Sequence, residues 1–215
     1  MIGAIMTNIK WDVLTMGNIS RNLFWGEDDS TARRPAMCTS TFIKVGATTI
    51  VVDPPFTPEN MDALLDRRVG LKAKDIDIVF VTHTHGDHLV GLEAFENATF
   101  YMPKGEIQIL SDQEIKKRPI LGKFKPATGQ LAKGIEVLDM PGHTNTLQGL
   151  LFKSGKVRIA ITGDAVMTSD FFKAQKGYFN SVDFDKASQT IVQLSKIADI
   201  IVPGHDNYFS VADLI

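Results

Sequence analysis

A single cysteine, Cys38, cannot make an internal disulfide, so nothing covalent beyond the backbone holds this 215-residue chain together. That usage suits a reducing compartment, and a cytoplasmic location is expected. Charge of neither sign is in excess: 23 Lys and Arg stand against 25 Asp and Glu, a formal net charge of -2. Nucleic acid and anionic membrane surfaces, which call for basic patches, are therefore not signalled as partners. No window approaches the roughly 18 consecutive apolar residues of a membrane span. Residues 1–6 are apolar but lack a basic lead, and Lys10 and Asp12 follow too soon for a secretory signal. Repeats, low-complexity tracts and long linkers are missing too, so residues 1–215 are expected to form one domain. What remains, 44% hydrophobic and 22% charged residues, is the composition of an ordinary globular core and surface.

Histidine is also scarce, and none of the five is scattered. Three lie in Thr82-His83-Thr84-His85-Gly86-Asp87-His88; the others are His143 in Pro141-Gly142-His143-Thr144 and His205 in Val202-Pro203-Gly204-His205. Between them, Thr162-Gly163-Asp164 offers a carboxylate after a glycine turn. Five imidazoles and two acids make the ligand inventory of two adjacent divalent metals. Four short apolar runs, 76–81, 135–140, 157–161 and 200–202, lead into His83, His143, Asp164 and His205 respectively. Such runs, rich in Val and Ile and stopped by Gly or Pro, predict buried strands with ligands just past their ends. Gly142, Gly163 and Gly204 are expected to turn the chain there.

Helices are predicted at 59–69, with Gly70 as its stop, and at 186–198, with Asp185 as N-cap. Strands are predicted at 10–16, 37–45 and 48–53, and residues 104–133 show only weak periodicity. Strands first and strand–helix alternation afterwards predict an α/β chain with two sheets flanked by helices.

On an extended segment residues two apart point the same way, so His83 and His85 can grip one ion with His143. Past Gly86 the chain turns, which lets Asp87 and His88 face a second ion together with His205. Asp164 can bridge, one oxygen to each. Imidazole with carboxylate suits Zn2+, and also iron or manganese. Two such ions can hold a bridging hydroxide and polarise a carbonyl or phosphoryl oxygen, with no histidine left over to act as a base. Asp87 can also pass a proton to a leaving group, which makes it the candidate catalytic residue.

These motifs, in this order, resemble the metallo-β-lactamase superfamily, from the strand ending at Asp53 to His205. The resemblance implies an αβ/βα sandwich of two mixed sheets flanked by helices, with His83, His85 and His143 on one metal, Asp87, His88 and His205 on the other, and Asp164 between them. It also implies that Asp53, in Val51-Val52-Asp53-Pro54, stands behind the ligand loops; a plain turn former is the other reading. The layout is similar to small stand-alone members of the metallo-β-lactamase domain-containing protein 1 type. Several branches fit less well. β-Lactamases of this fold commonly place Cys in the second metal site, where this chain has Asp164. Known lactonases carry Tyr three residues after the bridging aspartate, where this chain has Met167.

The implied activity is a dinuclear metal-dependent hydrolase acting on an ester, thioester, lactone or phosphodiester, with a small-molecule or nucleotide-type substrate. The alternatives are a mononuclear iron oxidoreductase like the sulfur dioxygenases, or a non-catalytic nucleic-acid-binding module, which the charge balance disfavours. A homo-oligomer is compatible with the sequence. Candidate substrate contacts are Arg21, Trp25, Arg33 and Arg34 in the charged segment 21–34, and Phe171 and Phe172 after Asp164. A surface loop and a core pair are the plain readings of these two groups.

Overall fold

Alternation with a period of two splits the apolar residues of the central strands between two faces. The computed structural model describes residues 9–28 and 30–215; the apolar stretch 1–6 and Asp29 of the charged segment lie outside the described residues. The first half of the chain forms β1 (Ile9–Thr15), β2 (Ser40–Val45), β3 (Thr48–Val52), α1 (Pro58–Val69), β4 (Ile78–Phe80) and β5 (Thr99–Met102). Two short helices follow, α2 (Lys104–Ile109) and α3 (Asp112–Lys117), then β6 (Lys125–Pro126), β7 (Gln130–Ala132) and β8 (Ile135–Asp139). The remainder is β9 (Gln148–Ser154), β10 (Val157–Gly163), α4 (Ser169–Ala174), α5 (Phe184–Ile197), β11 (Ile200–Pro203) and β12 (Phe209–Ser210).

Two six-stranded sheets result. The first runs β1-β2-β3-β4-β5-β6, antiparallel as far as β3 and parallel beyond it. The second runs β12-β11-β10-β9-β8-β7, antiparallel except where β10 and β11 run parallel. Ile50 and Val52 of β3 face Ile159 and Ile161 of β10 across the inter-sheet core. Val51, between them, faces the other way, onto Met61 and Leu65 of α1. Ala160 of β10 likewise packs outward with Ile191 and Leu194 of α5. The layers are therefore helix, sheet, sheet, helix. Burying each Leu- or Ile-sized side chain contributes roughly 1.5–3 kcal/mol, so this layered packing is where the fold's stability is concentrated.

Several boundaries differ from expectation, each for a local reason. The last helix begins at Phe184, and Asp183 rather than Asp185 caps it, because Asp183 is three residues before the amide of Lys186 that it accepts from. Asp185 sits inside the first turn, where its charge still suits the helix dipole. The ladder of β2 starts at Ser40; Met37 pairs separately with Asn18. Residues 104–133 hold two helices, the second started by a reciprocal Ser111–Glu114 cap whose Ser-x-x-Glu spacing is visible in the sequence. No described helix is long and apolar enough to cross a membrane.

Candidate metal centre

The seven candidate ligands converge at one edge of the paired sheets. His83, His85, Asp87 and His88 follow β4 of the first sheet; His143, Asp164 and His205 follow β8, β10 and β11 of the second. Gly142 and Gly163 turn with positive φ, 135° and 48°, as the sequence suggests. Gly204 does something else. A β-carbon there would collide with Asp164 Oδ1, so its bareness makes room for the carboxylate.

Two groups of donor atoms form, His83, His85, His143 and Asp164 in one and Asp87, His88 and His205 in the other, with ligand atoms inside each within 4.8 Å of one another. Asp164 lies between them. Its Oδ2 is 3.6 Å from His83 Nε2 and 3.3 Å from both His143 Nε2 and His205 Nε2, while its Oδ1 is 3.2 Å from His88 Nε2 and 3.1 Å from His205 Nε2. Asp87 Oδ2 closes the second group at 3.7 Å from His205 Nε2 and 4.0 Å from His88 Nε2. Do these residues fit a metal? The buried atoms His83 Nε2, His88 Nε2, Asp87 Oδ2 and Asp164 Oδ1 have no hydrogen-bond partner. Each such atom costs about 1–3 kcal/mol unless something satisfies it, and four aimed inward together are what divalent cations satisfy. The residues fit.

Partners on the far side of the rings orient them. His83 Nδ1 is 3.0 Å from Thr82 Oγ1, which itself donates to Asp53 Oδ2 at 2.8 Å. The Thr82 proton being committed, His83 Nδ1 must donate, which leaves its Nε2 lone pair facing inward. His88 Nδ1 meets Asp53 Oδ2 at 2.9 Å, and His205 Nδ1 meets the carbonyls of Met37 and Asn18 at 2.9 and 3.0 Å. All of these are acceptors, so Nε2 is again the free donor of electrons. Asp53 thus supports two rings at once, from a backbone at φ 50°. Burial and the neighbouring imidazole of His88 push His83 well below its usual pKa, which keeps it neutral as a ligand must be. Burial raises Asp164, but the neighbouring His205 and His88 outweigh it and hold the carboxyl well below its usual range. Cys38 contributes no thiolate. Burial pushes it up to about 12, and its Sγ donates to the Asp87 carbonyl at 3.2 Å.

An open cavity of about 230 Å³ reaches this centre, with Ile19, Ser20, Ala36, Met167, Tyr178 and Asn180 at its rim beside His85, Asp87, Asp164 and His205. None of the expected substrate contacts lines it. Phe171 and Phe172 are 0% and 1% exposed: Phe171 packs under the rim with Ile19, Met167 and Tyr178, and Phe172 joins the core beneath α5. Their hydrophobic surface is better buried in the fold than offered to a ligand. In the 21–34 segment, Arg34 pairs with Glu27, and Trp25 Nε1 donates to Asp170 at 3.1 Å. The Arg21 guanidinium lies 4.5 Å over the Phe179 ring, and Arg33 is exposed. Internal partners hold this segment as a strap beside the cavity. One residue at the centre lacked any sequence signal: Glu106, buried on α2 behind the ligand loops.

A family model described as the metallo-beta-lactamase superfamily matches residues 33–205. The chain belongs to the metallo-β-lactamase superfamily. This superfamily member is 30% identical to a probable metallo-hydrolase of Methanocaldococcus jannaschii, over 64% of the chain and 61% of that protein. It is also 30% identical to an N-acyl homoserine lactonase of Bacillus cereus, over 71% of the chain and 65% of that protein. The chain thus spans a little under two thirds of the length of these curated relatives. Among solved structures, a mutant of B. thuringiensis AiiA with N-decanoyl-L-homoserine at its active site shares the metallo-β-lactamase fold at a TM-score of 0.70. Identity there is 19%, with 94% of each chain covered.

Proposed function

We propose that the protein is a dinuclear metal-dependent hydrolase of small neutral acyl compounds: esters, thioesters or lactones. The observation that carries this reading is Asp164, whose carboxylate reaches both groups of donor atoms. Two divalent ions bound there, Zn2+ being the expected metal, would supply an activated water and polarise a carbonyl oxygen. The chain's own residues do the rest. Asp53 and Thr82 hold the rings in the tautomer that presents Nε2. Asp87, whose side chain keeps 22% of its surface open beside the cavity, would carry a proton to the leaving group.

The rim favours a carbonyl over a phosphodiester substrate. Among the described residues lining the cavity there is no Lys or Arg, the side chains that recognise phosphate oxygens. The relatives include both a lactonase and a ribonuclease Z, so the choice rests on the rim. The test is a panel of esters, thioesters, lactones and a bis-aryl phosphodiester, offered to protein of known metal content. Turnover of carbonyl substrates by protein holding about two zinc ions per chain is expected. Preference for the phosphodiester, or full turnover after verified metal removal, would overturn the proposal.

A further inference from the structure

Glu106 is 1% exposed, yet no cation meets it among the described residues. Its four partners are all neutral donors. Oε2 accepts from the Thr84 amide at 3.0 Å and from Thr84 Oγ1 at 2.7 Å; Oε1 accepts from Thr144 Oγ1 at 2.6 Å and from Thr146 Oγ1 at 3.0 Å. Thr84 stands between His83 and His85, and Thr144 directly follows His143. One carboxylate therefore joins the two loops that carry all three histidines of one donor group. The approach is close: a β-carbon on Gly105 would run into the Thr146 side chain, so α2 is pressed against the His143 loop. The second donor group does not touch Glu106: Asp53 supports His88, reaching His83 as well through Thr82, and the carbonyls of Met37 and Asn18 support His205.

We propose that Glu106 is a positioning residue that sets the spacing of His83 and His85 from His143, and so governs metal affinity at the three-histidine group alone. The loops come from different sheets, and hydrogen bonds to an ionised acceptor are the strong kind. Burying a carboxylate is costly unless its oxygens are satisfied, and here four donors satisfy them. Glutamine can keep much of the link: its oxygen accepts from the Thr84 amide, and the hydroxyls of Thr144 and Thr146 can turn to accept from its NH2. Alanine leaves the loops unlinked.

This inference rests on reading the seven side chains as metal ligands, and the experiment separates the two. Metal-free protein is titrated with Co2+ against a competing chelator, reading two dissociation constants and the visible absorption bands. The His85→Ala variant identifies which step belongs to the three-histidine group. Glu106→Ala is expected to weaken that step about 10–100-fold and to shift its band, while the other step stays within about threefold. Glu106→Gln should fall between Glu106→Ala and the wild type. Thr144→Val, which removes one hydroxyl and leaves the carboxylate in place, should weaken the same step to a smaller degree, so the idea stays testable if Glu106→Ala fails to fold. Equal weakening of both steps, or none in any of these variants, would overturn the clamp. Wild-type protein that takes up no Co2+ would overturn the metal reading beneath it.

Discussion

Asp164 touches both donor groups, whereas Asp53 reaches the centre only through His88 and Thr82. Replacing Asp164 with Ala should therefore empty both metal positions. Asp53→Asn, which tolerates the left-handed backbone but gives up the charge, should cost about 10–100-fold in metal affinity. Metal content and turnover of the two variants decide this, and equal losses would count against Asp164 as the bridge. At this scale much of the centre was legible. Five histidines all standing in turn motifs after apolar runs left few other ways to read them. Glu106 was not legible, because nothing in a polar stretch separates it from the neighbouring acids until folding brings Thr84, Thr144 and Thr146 around it. Phe171 and Phe172 misled for the converse reason: an apolar pair reads the same whether it lines a cavity or fills a core.

Secondary-structure elements hold the loops in place, and two contacts show how. The turn before His143 is wedged against the start of α5: the Pro141 carbonyl accepts from Thr190 Oγ1 at 2.6 Å and the Gly142 carbonyl from the Asp183 amide at 3.0 Å. A β-carbon on Gly142 would strike the backbone of Ala187, and the φ of 135° resists any side chain. Gly142→Ala should cost about 1–3 kcal/mol from backbone strain alone, and more as the loop moves. Lower urea stability together with reduced metal content is the expected result; wild-type values for both would refute the wedge. Farther from the centre, Arg158 on β10 grips Asp199 at the head of β11 through Nη2 at 2.6 Å and its backbone amide at 2.8 Å. Those bonds lower the Asp199 carboxyl from 3.8 to about 2. Its contribution is complete above the unfolded value and fades as pH falls from 3.8 toward about 2. Denaturation of metal-free Asp199→Asn should accordingly show a shallower acid limb than wild type over that window. Helix and strand centres were legible from periodicity, whereas ends such as Asp183 depended on which of two nearby acids could reach the amide.

Across the whole molecule, the ligands are divided between the two sheets, four after β4 and three after β8, β10 and β11. Neither sheet can assemble the centre alone, so metal binding should be linked to their docking. Excess Zn2+ at about 100 times its dissociation constant should stabilise the fold by about 2.7 kcal/mol for each site filled, and a chelator should reverse the gain. A melting temperature indifferent to both would contradict a centre shared between sheets. The layered architecture was legible in the order of strands and helices. The cavity was not, since its rim gathers residues more than a hundred positions apart. That rim has one more consequence. Ile19, Ser20 and Ala36 precede β2, and Tyr178 and Asn180 lie between α4 and α5, in segments that carry no candidate ligand. Substitutions there should change which molecules fit the cavity while the candidate ligands keep their positions, so fit and metal affinity are set by separate stretches of chain.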